Sequence, residues 1–157
     1  MQGVRFAVSY EGEIRKTVLA LKNGNERTFA RDLAALLVPL GSWQEADVIT
    51  WVPTTSARAC QRGYDHAELI SRALGKRVGV PVKRLLLRND SKAQQGRNRA
   101  ERLKGPSIAA SPLCQGKRVV VVDDVVTTGT TLMTCRTALQ AAGALAVELL
   151  AVAGSNR

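Results

Sequence analysis

Four valines, Val119-Val120-Val121-Val122, run into two aspartates, Asp123 and Asp124, and after two more valines into Thr127-Thr128-Gly129-Thr130-Thr131. An unbroken apolar run of β-branched residues fits a strand buried on both faces, as in a parallel sheet. The carboxyl end of such a strand is where open α/β sheets bind ligands. The loop beyond it supplies hydroxyl donors without charge, and a glycine that lets backbone come close. It leads into a helix start, whose unsatisfied amides attract phosphate. Two carboxylates beside a phosphate cradle repel an anion on their own. They make sense if they accept hydrogen bonds from sugar hydroxyls, or if a cation sits nearby. The string could therefore clamp a ribose phosphate, with Asp123 and Asp124 on the hydroxyls and Thr127, Thr128, Gly129, Thr130 and Thr131 around the 5′-phosphate. Thr-Thr-Gly-Thr by itself is a common cap and turn. The full succession of strand, acid pair, loop and helix is not explained by capping. It is neither a Walker A loop nor a dinucleotide fingerprint, since GxxxxGK[ST] and GxGxxG are both absent.

The elements that must position this string alternate in type. Ile14, Val18 and Leu21 give a helical period over 13–23, stopped by Asn23-Gly24-Asn25. A second helix is expected over 26–38, with Phe29, Leu33, Leu36 and Leu37 inward. Residues 47–52 read as a strand ending at Pro53, followed by a polar loop from Thr54 to Arg58. Tyr64 to Arg77 reads as a helix with Ala67, Ile70 and Leu74 on one side, and Val82 to Leu87 as another strand. Residues 89–116 lack a sustained apolar period and are expected to form a mobile loop. A helix over 130–142 buries Leu132, Cys135 and Leu139, and a last strand covers 146–153. Strands alternating with helices imply an α/β sheet.

At 157 residues one domain is expected, and the apolar share of 45% with 23% charged residues excludes a disordered or collagenous chain. No apolar run approaches the roughly 20 residues of a membrane span. The first residues lack the apolar core of a signal peptide, so a soluble cytoplasmic protein without membrane contact is expected. Cys60, Cys114 and Cys135 form no CxxC and read as packed thiols rather than zinc ligands. The net charge is +10, which favours phosphate-bearing partners. Residues 83–104 carry eight bases against Asp90 and Glu101, which is +6 of that total. Such a stretch suits pyrophosphate capture, contact with nucleic acid, or solvation alone. Aromatic residues make up only 4%, which argues against a base-stacking platform.

The string from Val119 to Leu132 closely resembles the PRPP-binding motif of type I phosphoribosyltransferases. Tyr10-Glu11-Gly12-Glu13-Ile14-Arg15, Leu21-Lys22, Val52-Pro53, Arg62-Gly63-Tyr64 and Gln95-Gly96-Arg97 through Glu101-Arg102 are similar to segments of the ComF/GntX-like branch, in the same order. The resemblance implies an α/β fold with a central, mainly parallel sheet flanked by helices and a small N-terminal helical hood. It implies transfer of a phosphoribosyl group from PRPP to an unidentified acceptor with release of pyrophosphate. Asp123 and Asp124 would hold the ribose hydroxyls as the catalytic pair, and residues 127–131 the 5′-phosphate. A second loop, often built on a strained cis peptide, would hold pyrophosphate through Thr54, Thr55 and Arg58. A flexible loop carrying Gln95, Arg97, Arg99 and Arg102 would close over the sugar. Mg²⁺ would bridge pyrophosphate and ribose, with no residue assigned as a direct metal ligand.

Two features depart from that branch. Its members often begin with a cysteine-rich zinc module, which this chain does not show, so a single domain over 1–157 is expected. Where the branch tends to show Arg-Gly-Phe-Asn-Gln, this chain has Arg62-Gly63-Tyr64-Asp65-His66. His66, the one histidine, is expected at the surface or in a helix cap, and no residue stands out as a general base. The branch is associated with DNA uptake in competent bacteria. The alternative is thus a non-catalytic, PRPP-responsive protein that binds single-stranded DNA, or a regulator. A homodimer is compatible with either.

Overall fold

A computed structural model describes residues 3–23, 28–54, 65–88 and 107–155. In chain order its elements are β1 (Val4–Ser9), α1 (Gly12–Asn23), α2 (Phe29–Leu37), β2 (Val48–Trp51), α3 (His66–Val78), β3 (Leu86–Arg88), β4 (Ile108–Ala110), β5 (Arg118–Val126), α4 (Thr130–Ala141) and β6 (Ala146–Gly154). A 3-10 turn at Pro112–Cys114 precedes β5.

Four strands form one sheet in the order β1-β6-β5-β2, every neighbouring pair parallel. The two central strands are covered on both faces, and their side chains sort by parity as a pleat requires. Val119 and Val121 of β5, with Leu149 and Ala151 of β6, pack against Leu132, Cys135 and Leu139 of α4. Val120 and Val122, with Leu150 and Val152, pack against Leu33 and Leu37 of α2 and Ile70 and Leu74 of α3. None of the four valines is more than 2% exposed, so the apolar run does what a doubly covered strand needs. No described helix is long and apolar enough to cross a membrane.

The N-terminal helices pack on this same body. Val18 and Leu21 of α1 are fully buried in the layer that covers Val120, Val122, Leu150 and Val152. These apolar faces need the sheet to cover them, so the helices lie on it. The strand β1 was not among the sequence expectations. Val4, Phe6 and Val8 alternate with Arg5, Ala7 and Ser9, which is a half-buried strand pattern, and β1 pairs along its length with β6.

The expected mobile loop at 89–116 is also corrected over its last part. Ile108–Ala110 pairs antiparallel with Leu86–Arg88, and Ser111 N donates to Leu85 O at 2.7 Å. Ser111 Oγ then caps the 3-10 turn by accepting from Leu113 N, and Cys114 is buried at its end. The strand pairing and the Ser111–Leu85 bond join residues twenty or more apart, so no local period announces them. Val82 makes only an isolated parallel bridge to Ile49, and the strand expected at 82–87 begins at Leu86. Cys114 and Cys135 are packed thiols, while Cys60 lies outside the described residues.

Candidate active site

β2 and β5 lie side by side and parallel, with Trp51 level with Val122. The chain leaving β2 continues to α3 on one face of the sheet, and the chain leaving β5 continues to α4 on the other. The carboxyl ends of two such strands open a crevice, the topological switch point at which α/β sheets bind ligands. Here the crevice is a cleft of about 400 Å³. Asp123, Asp124 and Thr131 line one wall, and Val52, Pro53, Thr54, Asp65, His66 and Ala67 line the other, with Arg88 facing in from β3.

Asp123 and Asp124 are the last polar residues of β5 and are half-buried. Beyond them the sorting of the valines reverses, with Val125 packed in the α2/α3 layer and Val126 in the α4 layer. Asp123 falls on the α4 side, where its charge acts on Cys135. Each carboxylate is oriented by the next amide in the chain: Asp123 Oδ1 accepts from Asp124 N at 2.8 Å, and Asp124 Oδ1 from Val125 N at 2.7 Å. Both acids line the cleft. Beneath them, burial and the Asp123 charge push the Cys135 thiol up to about 12, so it stays protonated at neutral pH, despite the nearby Arg88.

The threonine-glycine loop forms a second, smaller recess of about 50 Å³, contiguous with the cleft through Asp123 and Thr131. Gly129 is the N-cap of α4 and has φ +78°, a left-handed conformation. It has no side chain to cap the helix, so Thr128 does so: its Oγ1 accepts from Thr130 N at 3.4 Å and lies 3.0 Å from Thr130 Oγ1. The first-turn amides of any helix lack intrahelical acceptors, which leaves Thr131 and Leu132 donors for an anion. Thr127, Thr128 and Thr130 are exposed and line the recess. Gly129→Ala places a Cβ in the left-handed region and is expected to cost about 1–2 kcal/mol in a denaturant titration.

The opposite wall holds what sequence reasoning missed. Asp65 caps α3, with Oδ1 accepting from Ala67 N at 3.2 Å, and its Oδ2 accepts from Thr54 N at 3.0 Å. Burial pushes its carboxyl pKa upward, against the lowering effect of these backbone donors. His66, expected at the surface or in a cap, is only 7% exposed and lines the cleft. Arg88, one of the eight bases of residues 83–104, lines the cleft with both acids. Asp65 was signalled by Glu68 three residues on, an acid-led variant of the capping box. His66 and Arg88 had no such signal.

Of the expected pyrophosphate residues, Thr54 lies in the cleft, and Thr55 and Arg58 lie outside the described residues. So do Gln95, Arg97, Arg99 and Arg102 of the expected flexible loop. Among the described residues no peptide is cis, so Val52-Pro53-Thr54 has no cis bond. Another recess, of about 190 Å³, opens at the amino ends of the strands. Its charges are matched internally, Arg118 with Glu45 at 2.8 Å and Arg5 with Glu148, which leaves little net attraction for a ligand.

Solved structures share this fold. The chain is 29% identical, with a TM-score of 0.55, to a structure described as the allosteric regulatory enzyme of purine biosynthesis. It is 28% identical, with a TM-score of 0.56, to the glutamine phosphoribosylpyrophosphate amidotransferase of B. subtilis complexed with ADP and GMP. Each alignment covers 78% of this chain and 25% of the other, so this chain spans about a quarter of those proteins. An adenine phosphoribosyltransferase from Thermoanaerobacter pseudethanolicus shares the fold at 13% identity and a TM-score of 0.52, over 82% of each chain. No curated protein matches the sequence. Residues 61–157, which include Asp65, His66, Arg88, both acids of β5 and the whole threonine-glycine loop, match the family model of the phosphoribosyl transferase domain. With more than half of its length so matched, this chain belongs to that family.

Proposed function

We propose that the protein transfers a phosphoribosyl group from PRPP to an acceptor and releases pyrophosphate. The observation that carries this reading is the continuity of two recesses at one switch point: a threonine-lined helix start for a phosphate, joined through Asp123 to an acid-walled cleft. In this reading the amides and hydroxyls of residues 127–131 hold the 5′-phosphate, and Asp123 and Asp124 accept from the ribose hydroxyls. The pyrophosphate then lies toward Thr54 and Arg88. Breaking the bond from ribose C1 to the pyrophosphate oxygen leaves positive character on the sugar and negative charge on the departing group. The half-buried acids favour the first and the Arg88 guanidinium the second, both in a cleft where water screens them less.

The donor set also fits Mg²⁺. Among the described residues no group of three or more acids, histidines or cysteines could cage a metal. Mg²⁺ is commonly held by one or two carboxylates together with substrate phosphates, and Asp123 and Asp124 supply that minimum. When bound it would neutralise developing phosphate charge.

The finer placement, in the ComF/GntX-like branch, rests on Tyr10 to Arg15, Val52-Pro53 and Arg62-Gly63-Tyr64. The test is pyrophosphate release from PRPP with Mg²⁺ across a panel of purine, pyrimidine and amine acceptors. The expected result is release above that of PRPP alone with at least one acceptor. PRPP binding without release from any acceptor would favour the non-catalytic reading instead. That reading, PRPP-responsive binding of single-stranded DNA, draws on the net charge of +10 and predicts a salt-dependent oligonucleotide shift.

A further inference from the structure

We propose that Asp65 is a positioning residue that sets the leaving-group side of the cleft, by tying the backbone after β2 to the first turn of α3. The inference rests on the phosphoribosyl reading above and goes further in assigning Asp65 a role beyond capping α3. Val52 N still belongs to the sheet, donating to Val122 O at 3.0 Å. Pro53 has no N–H to give, so Thr54 N is the first free-standing donor after the sheet. Asp65, eleven residues on, takes that donor with Oδ2 while Oδ1 holds Ala67 N in the first turn of α3. One carboxylate thus fixes two pieces of backbone that the sheet does not hold, and both line the cleft.

Two consequences follow. The Thr54 amide is committed to Asp65, so Thr54 meets a phosphate with its hydroxyl and not with its backbone. The N-terminus of α3 is likewise occupied by an internal anion. The 5′-phosphate is then left to the separate helix start of α4, where Gly129 brings no carboxylate. The two helix starts that face this cleft are divided between an internal acid and an external one.

This division predicts a difference between two ligands. Ribose 5-phosphate engages Asp123, Asp124 and residues 127–131 only, whereas PRPP also needs the Thr54 side. In Asp65→Ala, measured calorimetrically on the full chain with Mg²⁺, PRPP affinity should fall about tenfold, the scale of one hydrogen bond to a charged group. Ribose 5-phosphate affinity should stay within about twofold. Asp65→Asn keeps a side-chain acceptor and should recover part of the loss. In parallel, NMR-detected exchange of the Thr54 amide should accelerate in Asp65→Ala. An unchanged PRPP affinity with a released Thr54 amide would overturn the proposal, as would equal weakening of both ligands with a fall in thermal midpoint. If the wild type binds neither ligand, the phosphoribosyl reading itself fails. The Thr54 exchange rate then decides the clamp alone: acceleration upholds it, and no change removes it.

Discussion

Replacing Asp123 and Asp124 together by asparagine is expected to lower PRPP affinity by about two to four orders of magnitude. Each carboxylate is assigned a charge-assisted hydrogen bond from a ribose hydroxyl, worth about 1.5–3 kcal/mol. The substitution is chosen to spare the fold. An asparagine carbonyl can still accept the following amide, as Asp123 and Asp124 do from Asp124 N and Val125 N. A competing effect has the opposite sign. Removing two negative charges beside a phosphate site reduces repulsion, so acids that only repelled the anion would give tighter binding in the variant. The sign of the change in calorimetry therefore separates the two roles, and circular dichroism checks that the fold is retained.

The second large effect is expected at the helix start of α4. Thr128→Ala/Thr130→Ala removes two exposed hydroxyls from the small recess. Their oxygens lie 3.0 Å apart, so one hydroxyl proton can serve the other and one is left for the ligand. The expected loss is that of about one bond to a phosphate, ten- to a hundredfold in affinity. It should be equal for PRPP and ribose 5-phosphate, because both carry the 5′-phosphate. Thr128 also caps α4, so a denaturant titration should show a further cost of about 0.5–2 kcal/mol in stability. An unequal loss between the two ligands would place the 5′-phosphate elsewhere.

These two sites were legible in the sequence because their parts are adjacent along the chain. Val119–Val122 announces a strand covered on both faces, Asp123 and Asp124 mark its end, and Gly129 marks the turn into the next helix. The facing wall was not legible in the same way. Arg88 comes from β3 and His66 from α3, and only tertiary packing brings them to Asp123. His66 was misjudged for that reason: a position at a helix start does not reveal which elements will cover it. β3 and β4 pair across twenty residues without a shared local signal, so the ordered stretch at 108–114 read as loop. β1 differs, since the alternation of Val4, Phe6 and Val8 is itself a local strand signal.

Titration of the wild-type protein with PRPP in the presence of Mg²⁺, followed by competition with ribose 5-phosphate, tests the central claim most directly. The predicted result is saturable binding at one site, displaced by ribose 5-phosphate, because both ligands share the 5′-phosphate recess and the acid pair. Absence of binding at saturating PRPP would contradict the account. So would binding that ribose 5-phosphate leaves untouched, since the pyrophosphate would then be held by the basic surface and the threonine-glycine loop would be only a helix start.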